Sequence, residues 1–202
     1  MHAVMPIVQS HIETISGKAL SPLLPALARL RVEVFRAWPY LYDGSAQYEH
    51  RYLDAYASAP GGAFVVCRDG AEIVGAATCV PMAEGQAEVR DAFLAAGRDP
   101  AQVCYFGESV LRPAYRGQGI GVAFFAAREA HARQLGLSEA AFCAVDRAPD
   151  DPRRPPDYVP LDGFWTRRGY VKQPDLHVTF SWQEVDATAE VANRLTFWTR
   201  RL

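Results

Sequence analysis

The sequence predicts an α+β (α/β) domain, a mixed β-sheet with helices packed against it, and three observations predict it. Apolar residues recur at helical spacing in some stretches and form short β-rich runs in others. The two kinds of stretch are interleaved along the chain rather than segregated. One β-rich run leads into a glycine-rich turn, a helical pattern and a further β-rich run, the order in which α/β proteins build phosphate sites. The 202 residues, 50% hydrophobic and 22% charged, can bury a substantial core, so a single domain over 1–202 is expected.

Taken in order, residues 7–15 alternate in part and read as a first strand. Ser21-Pro22 then supplies a helix start, and Leu23, Leu27, Leu30, Val34 and Phe35 continue at helical spacing to about Trp38, with Pro39 ending the helix. After the turn Asp43-Gly44-Ser45, Tyr48, Tyr52 and Tyr56 recur every fourth position on one face of a second helix, closed by Pro60-Gly61-Gly62. Residues 63–68 and 72–80 are β-rich and separated by Asp69-Gly70-Ala71, a hairpin signal. Residues 84–97 read as a helix with Val89, Phe93 and Leu94 on one side and Gly97 as its stop. A strand over 103–111, a helix over 119–135 stopped by Gly136, and a strand over 140–145 follow. Residues 146–160, rich in Pro, Asp and Arg, read as loop; a short helix over 159–167 ends at Gly169, and 177–182 and 195–199 close the fold as strands.

Composition narrows the function classes. A formal net charge of -2 gives no basic field for a phosphate backbone, so nucleic acid is disfavoured. Met1 to Gly17 lacks a basic segment followed by an apolar run, and no stretch of about 18 apolar residues occurs, so a soluble, cytoplasmic protein and no membrane association are expected. Cys67, Cys79, Cys104 and Cys143 lie in β-rich runs without paired metal-ligand spacing, which reads as buried thiols and no metal.

The informative segment runs from Glu108 through Ser109, Val110, Leu111, Arg112 and Pro113 to Arg116-Gly117-Gln118-Gly119-Ile120-Gly121. Glycines at alternate positions clear side chains where the main chain must approach a bulky anion, and the helix N-terminus adds about half a positive charge, so a diphosphate fits. A dinucleotide fingerprint would need glycine at 122, which is valine, and a P-loop would need Gly-Lys-Ser/Thr, which is absent.

The run from Leu111 to Gly121 resembles the acyl-CoA signature of the GNAT superfamily of N-acyltransferases, an Arg/Gln-x-x-Gly-x-Gly/Ala loop behind a strand. The order of elements over most of the chain is similar too, down to a closing glycine-aromatic pair, Gly169-Tyr170. The resemblance implies the GNAT fold, with a sheet splayed at the cofactor site, acetyl-CoA as cosubstrate, and N-acetyl transfer to an amine in a ternary complex. It implies that Arg116, Gly117, Gln118, Gly119, Ile120 and Gly121 hold the CoA diphosphate. Ser109, Val110 and Leu111 would lie along the pantetheine arm, with Leu111 N–H as the oxyanion donor.

An alkylamine is mostly ammonium at neutral pH, so a group must take its proton; Glu108, just before the pantetheine-pairing residues, is the candidate, against a reading in which it holds a neighbouring arginine. Many relatives carry an asparagine and, seven residues on, a tyrosine that protonates the leaving thiolate. Tyr158 and Trp165 stand there instead, so Tyr158 becomes the candidate acid, while Phe164 and Trp165 are expected against the cofactor arm. Tyr40, Tyr42 and Tyr52, within an aromatic cluster that includes Trp38, Tyr48 and Tyr56, are expected to shape the acceptor site, the alternative being helix packing. Arg153 and Arg154 read as solvated loop charges, or as contacts to the CoA 3′-phosphate or an acidic acceptor. The partner expected is a small-molecule or peptide amine, with a homodimer left open. A non-catalytic acyl-CoA-binding or sensing module and an O-acyltransferase are the rival readings.

Overall fold

The computed structural model describes residues 10–202. Its strands are β1 (Ser10–Ser16), β2 (Ala63–Asp69), β3 (Glu72–Pro81), β4 (Val103–Tyr105), β5 (Ser109–Leu111), β6 (Glu139–Val145), β7 (Val171–Gln183) and β8 (Glu190–Arg201). Its α-helices are α1 (Leu24–Phe35), α2 (Ala46–Ser58), α3 (Ala87–Ala95), α4 (Ile120–Gln134) and α5 (Asp162–Thr166). The sheet runs β1-β2-β3-β4-β6-β8-β7, and β5 pairs with β3 off that path. β4 and β6 are parallel, and the other pairings are antiparallel. The α+β architecture is the one expected from the interleaved periodicities.

The differences from expectation have local causes. The first strand is found from Ser10 onward, and residues 7–9 lie outside the described residues. The first helix is preceded by a 3₁₀ turn, Gly17–Leu23, that contains Pro22; α1 stops at Phe35, short of Trp38, because a residue before proline is disfavoured in helical conformation. In α3, Val89 and Phe93 are buried, but Leu94 is 54% exposed, since one extra residue turns it by about 100° off the buried face. The closing strands are longer than 177–182 and 195–199: β7 is an edge strand, where Pro174 and a register shift between Gln173 and His177 are tolerated.

The strand expected over 103–111 is broken in two. β4 pairs with the end of β3 and with β6, and the last bond to β6 is Phe106 N–H to the Ala141 carbonyl at 2.8 Å. Beyond it, β5 pairs only with β3, while the rest of β6 pairs with β8. The sheet is therefore splayed between β5 and the second half of β6. Gly107 sits in the break because a Cβ there would lie 2.7 Å from Thr78 Oγ1 and 2.8 Å from the Tyr56 hydroxyl.

Arg128 of α4 secures this break. It is 1% exposed, its guanidinium lies 4.3 Å from the Phe106 ring centre, and it donates to the carbonyls of Phe124 (3.2 Å), Thr78 (3.4 Å) and Glu108 (3.2 Å). Burial lowers its pKa. Among the described residues no helix is long and apolar enough to cross a membrane.

Candidate active site

Main-chain direction at the splay follows from the β3–β5 register. Gly75, Ala76 and Ala77 stand opposite Leu111, Val110 and Ser109, and the flanking bonds are Arg112 N–H to Val74 O (3.0 Å) and Thr78 N–H to Glu108 O (3.1 Å). Antiparallel ladders alternate, so Val110 bonds Ala76 while Ser109 and Leu111 turn their N–H and C=O groups away from β3, toward the splay. Arg116 Nε reaches the Leu111 carbonyl at 3.4 Å from that open side.

The turn before α4 is shaped by Gly117 (φ +76°) and Gly119 (φ +83°), left-handed positions that disfavour a side chain. A Cβ on either glycine would meet open space, so these positions form a bare cradle. The first bond of the helical ladder here is Ala123 N–H to Gly119 O at 3.1 Å; the N–H groups of 118–121 lie before it, at the positive end of the helix dipole. Gly121 is needed for another reason: a Cβ there would lie 3.3 Å from the Phe164 ring.

A cavity of about 160 Å³ lies between α1, α2, the loop over 36–45, β6 and β7. Phe35, Tyr40, Tyr42, Tyr52 and Trp182 are among its walls, and Arg31, Glu49 and Glu108 are its charged residues. Arg31 ion-pairs with Glu49, and its Nη1 lies 2.8 Å from Glu108 Oε2, although that N–H is not aimed at the oxygen. Its guanidinium rests 4.3 Å from the Tyr52 ring centre and 5.0 Å from that of Phe35. Burial alone would lower the Arg31 pKa; Glu108, Tyr52 and Glu49 together raise it instead. The Tyr52 hydroxyl reaches Glu108 Oε2 (3.4 Å) and the Tyr56 hydroxyl (3.1 Å). Burial pushes the pKa values of Tyr40, Tyr52 and Tyr56 up, so all three keep their protons at neutral pH. The Cys143 thiol, also on the wall, is pushed up to about 12 by burial and stays protonated.

The loop that carries Tyr40 and Tyr42 is tied down by distant residues. Arg147 donates to the carbonyls of Pro39 (2.6 Å) and Tyr40 (3.0 Å), and Trp182 Nε1 also reaches Tyr40 O at 3.0 Å. Glu184 binds Arg147 and Arg153 together. Gly44 follows from the packing of Tyr42, whose ring would lie 2.1 Å from a Cβ at that position.

The sequence model of the acetyltransferase (GNAT) family matches residues 27–155, which holds both the glycine turn and most of the cavity. The chain belongs to this family. No curated protein matches its sequence. Solved structures share the GNAT fold at low identity. A ribosomal-protein-alanine N-acetyltransferase from Brucella melitensis is 14% identical, with TM-score 0.61, covering 95% of this chain and 99% of its own. A GCN5-related N-acetyltransferase from Kribbella flavida is 17% identical, with TM-score 0.56, covering 95% and 98%. The yncA protein of Salmonella typhimurium, solved with its cofactor acetyl-CoA, is 12% identical, with TM-score 0.56, covering 96% and 94%.

In this GNAT acetyltransferase, Glu108, Tyr40, Tyr42 and Tyr52 converge on one cavity, and Tyr48 joins them at its rim. Tyr56 sits just behind, against Gly107. Val110 differs from expectation, because its main chain is used by β3; Ser109 and Leu111 carry the groups that face the splay. Phe164 borders the glycine turn, stacked on Arg168 at 3.8 Å. Trp165 turns to the sheet and packs on Phe142 and Trp198, each at 5.1 Å.

Tyr158 and Trp165 do not share a helix face, since α5 begins only at Asp162, after the prolines and loop that precede it. Tyr158 stands edge-on to Trp38 at 6.0 Å, outside the cavity lining, and its pKa is raised by burial and by Asp162. Arg153 is engaged by Asp151 of its own loop and by Glu184 just beyond β7, while Arg154 lies over the Tyr158 ring at 5.7 Å within the loop.

The residues that sequence reasoning missed are Arg31 and Glu49. Their signal was present: Arg31 falls in the stripe of Leu27, Leu30 and Val34, and Glu49 shares a face with Tyr52, Leu53 and Tyr56. A charge of opposite sign on the apolar face of each of two neighbouring helices marks a buried pair.

Proposed function

We propose that the protein is an N-acetyltransferase that moves the acetyl group of acetyl-CoA directly to an amine, with all 202 residues acting as one catalytic unit. The observation that carries this reading is the placement of the Glu108 carboxylate in the acceptor cavity immediately before Ser109 and Leu111, whose main-chain groups face the splay. The bare turn over 117–121 fits a diphosphate, and the splay fits an extended pantetheine arm that would pair with Ser109 and Leu111.

The reaction then reads as follows. The acceptor enters as an ammonium and gives its proton to Glu108, directly or through water. The free amine attacks the thioester carbonyl carbon, and the Leu111 N–H stabilises the oxyanion that forms. Collapse breaks the C–S bond, the amide nitrogen gives up its second proton to solvent, and the released CoA thiolate takes a proton, leaving the amide and CoA thiol. Arg31 keeps Glu108 oriented beside the Tyr52 hydroxyl. Tyr158, outside the cavity lining, is the weakest of the expected roles, and the thiolate can be protonated by solvent, because a thiol has a pKa of about 8.5.

The ion pair between Arg31 and Glu108 supports a second reading, a non-catalytic acyl-CoA-binding module whose carboxylate is structural. One assay separates the two: free thiol is followed while the protein meets acetyl-CoA and a panel of amines and alcohols. The enzyme reading expects amine-dependent CoA release, reduced about 10²- to 10⁴-fold by Glu108→Gln with acetyl-CoA affinity retained. Tight acetyl-CoA binding with no release across the panel supports the binding module, and release only with alcohols supports O-acylation.

A further inference from the structure

We infer that the acceptor is a compact monoamine that carries no carboxylate, and that Glu49 is the residue that sets this specificity. The inference rests on the acetyltransfer reading above and names the substrate class of the same cavity.

Charge is the first argument. The cavity holds two carboxylates, Glu49 and Glu108, and one guanidinium, Arg31, a balance of one negative charge. The charged groups around it are already matched: Glu184 and Asp151 face Arg147 and Arg153, and Asp43 faces Arg36. Glu49 is 1% exposed and pairs with Arg31. A single ammonium neutralises this site. A diamine brings one charge too many, and an amino acid sets a carboxylate against two buried carboxylates, a juxtaposition that disfavours binding by roughly a hundredfold.

The walls give the second argument. Ring faces attract cations, and this cavity already holds one in that manner, the Arg31 guanidinium against Tyr52 and Phe35. Tyr40 and Trp182 extend the same surface and offer apolar area to the body of the amine. Size is the third argument: at about 160 Å³ the cavity is close to the roughly 150 Å³ of an engineered cavity that takes up benzene, room for an amine with a body of about one ring.

The test uses the full chain with acetyl-CoA and matched acceptors: phenethylamine against phenylalanine, and butylamine against putrescine. Thiol release gives kcat/KM, and calorimetry on the CoA-bound protein gives affinity independently of turnover. Each monoamine is expected to exceed its partner about a hundredfold in kcat/KM and in affinity. Glu49→Gln should narrow the gap between phenethylamine and phenylalanine about tenfold through KM and widen the gap between butylamine and putrescine, with acetyl-CoA affinity unchanged. The wild-type comparison stands even if the variant fails to fold.

Equal use of phenylalanine and phenethylamine, or a preference for phenylalanine through Arg31, overturns the inference and leaves acetyl transfer intact. Amine binding in the expected order without thiol release with any acceptor upholds the recognition and sinks the acetyltransfer reading. Absence of both amine binding and release sinks both.

Discussion

Gly119 carries two requirements at once. Its φ of +83° is a conformation that an L-residue with a Cβ adopts at a cost of about 1–2 kcal/mol, and its main chain forms part of the bare cradle before α4. Gly119→Val should therefore lower stability by about that amount and weaken acetyl-CoA binding at least about tenfold, read by denaturant unfolding and by calorimetry. Unchanged affinity in a folded variant would show that the turn does not contact the cofactor. Glycine spacing made this bare turn legible from residues alone. The adjacent choice between Val110 and Leu111 was not, because which N–H faces the splay depends on pairing register with β3, a property of two strands and not of either sequence.

Between elements, the pairing of α1 with α2 is set by a buried charge in each. Arg31 stands between Glu49 and Glu108, so removing it leaves two buried carboxylates uncompensated. Arg31→Met should destabilise the fold by about 3–5 kcal/mol, measured as a shift of the urea midpoint. A change below about 1 kcal/mol would mean that water reaches the carboxylates and that the cavity is wetter than described. The helices themselves were legible because their apolar stripes repeat at 3.6 residues. Their partnership was not, since a charged residue in an apolar stripe does not announce its partner. The expected strand over 103–111 illustrates the same limit: its β-rich pattern is continuous, but the change of partner at Gly107 is imposed by Tyr56, Thr78 and Arg128 from three other elements.

Across the whole molecule, the loop with Tyr40 and Tyr42 is held to β7 through Arg147, Trp182 and Glu184, residues more than a hundred positions away in sequence. Burial disfavours the Glu184 carboxylate, yet donation from Arg153 and Arg147 outweighs it and lowers its pKa. A pKa depressed on folding means that the pair stabilises the fold fully above the ordinary value of 4.5 and loses its contribution as pH falls through the folded value. The melting temperature of the wild type should thus fall below pH 4.5, and Glu184→Gln should lie lower at neutral pH and fall less steeply in acid; parallel curves would contradict the assignment. Sequence order anticipated the α+β sheet and the place of the glycine turn before α4. It left this strap invisible, because Arg147 and Arg153 lie in a Pro- and Asp-rich loop whose contacts only the folded chain defines.

Amide hydrogen exchange resolved by residue, with and without acetyl-CoA, tests the central geometry most directly. Exchange should slow at Ser109, Leu111 and residues 118–121, the N–H groups proposed to meet the cofactor, while Val110, already bonded to β3, stays unchanged. Protection that appears at none of these positions, or that falls on Val110 instead of Leu111, would contradict the splay and the turn as the acetyl-CoA site.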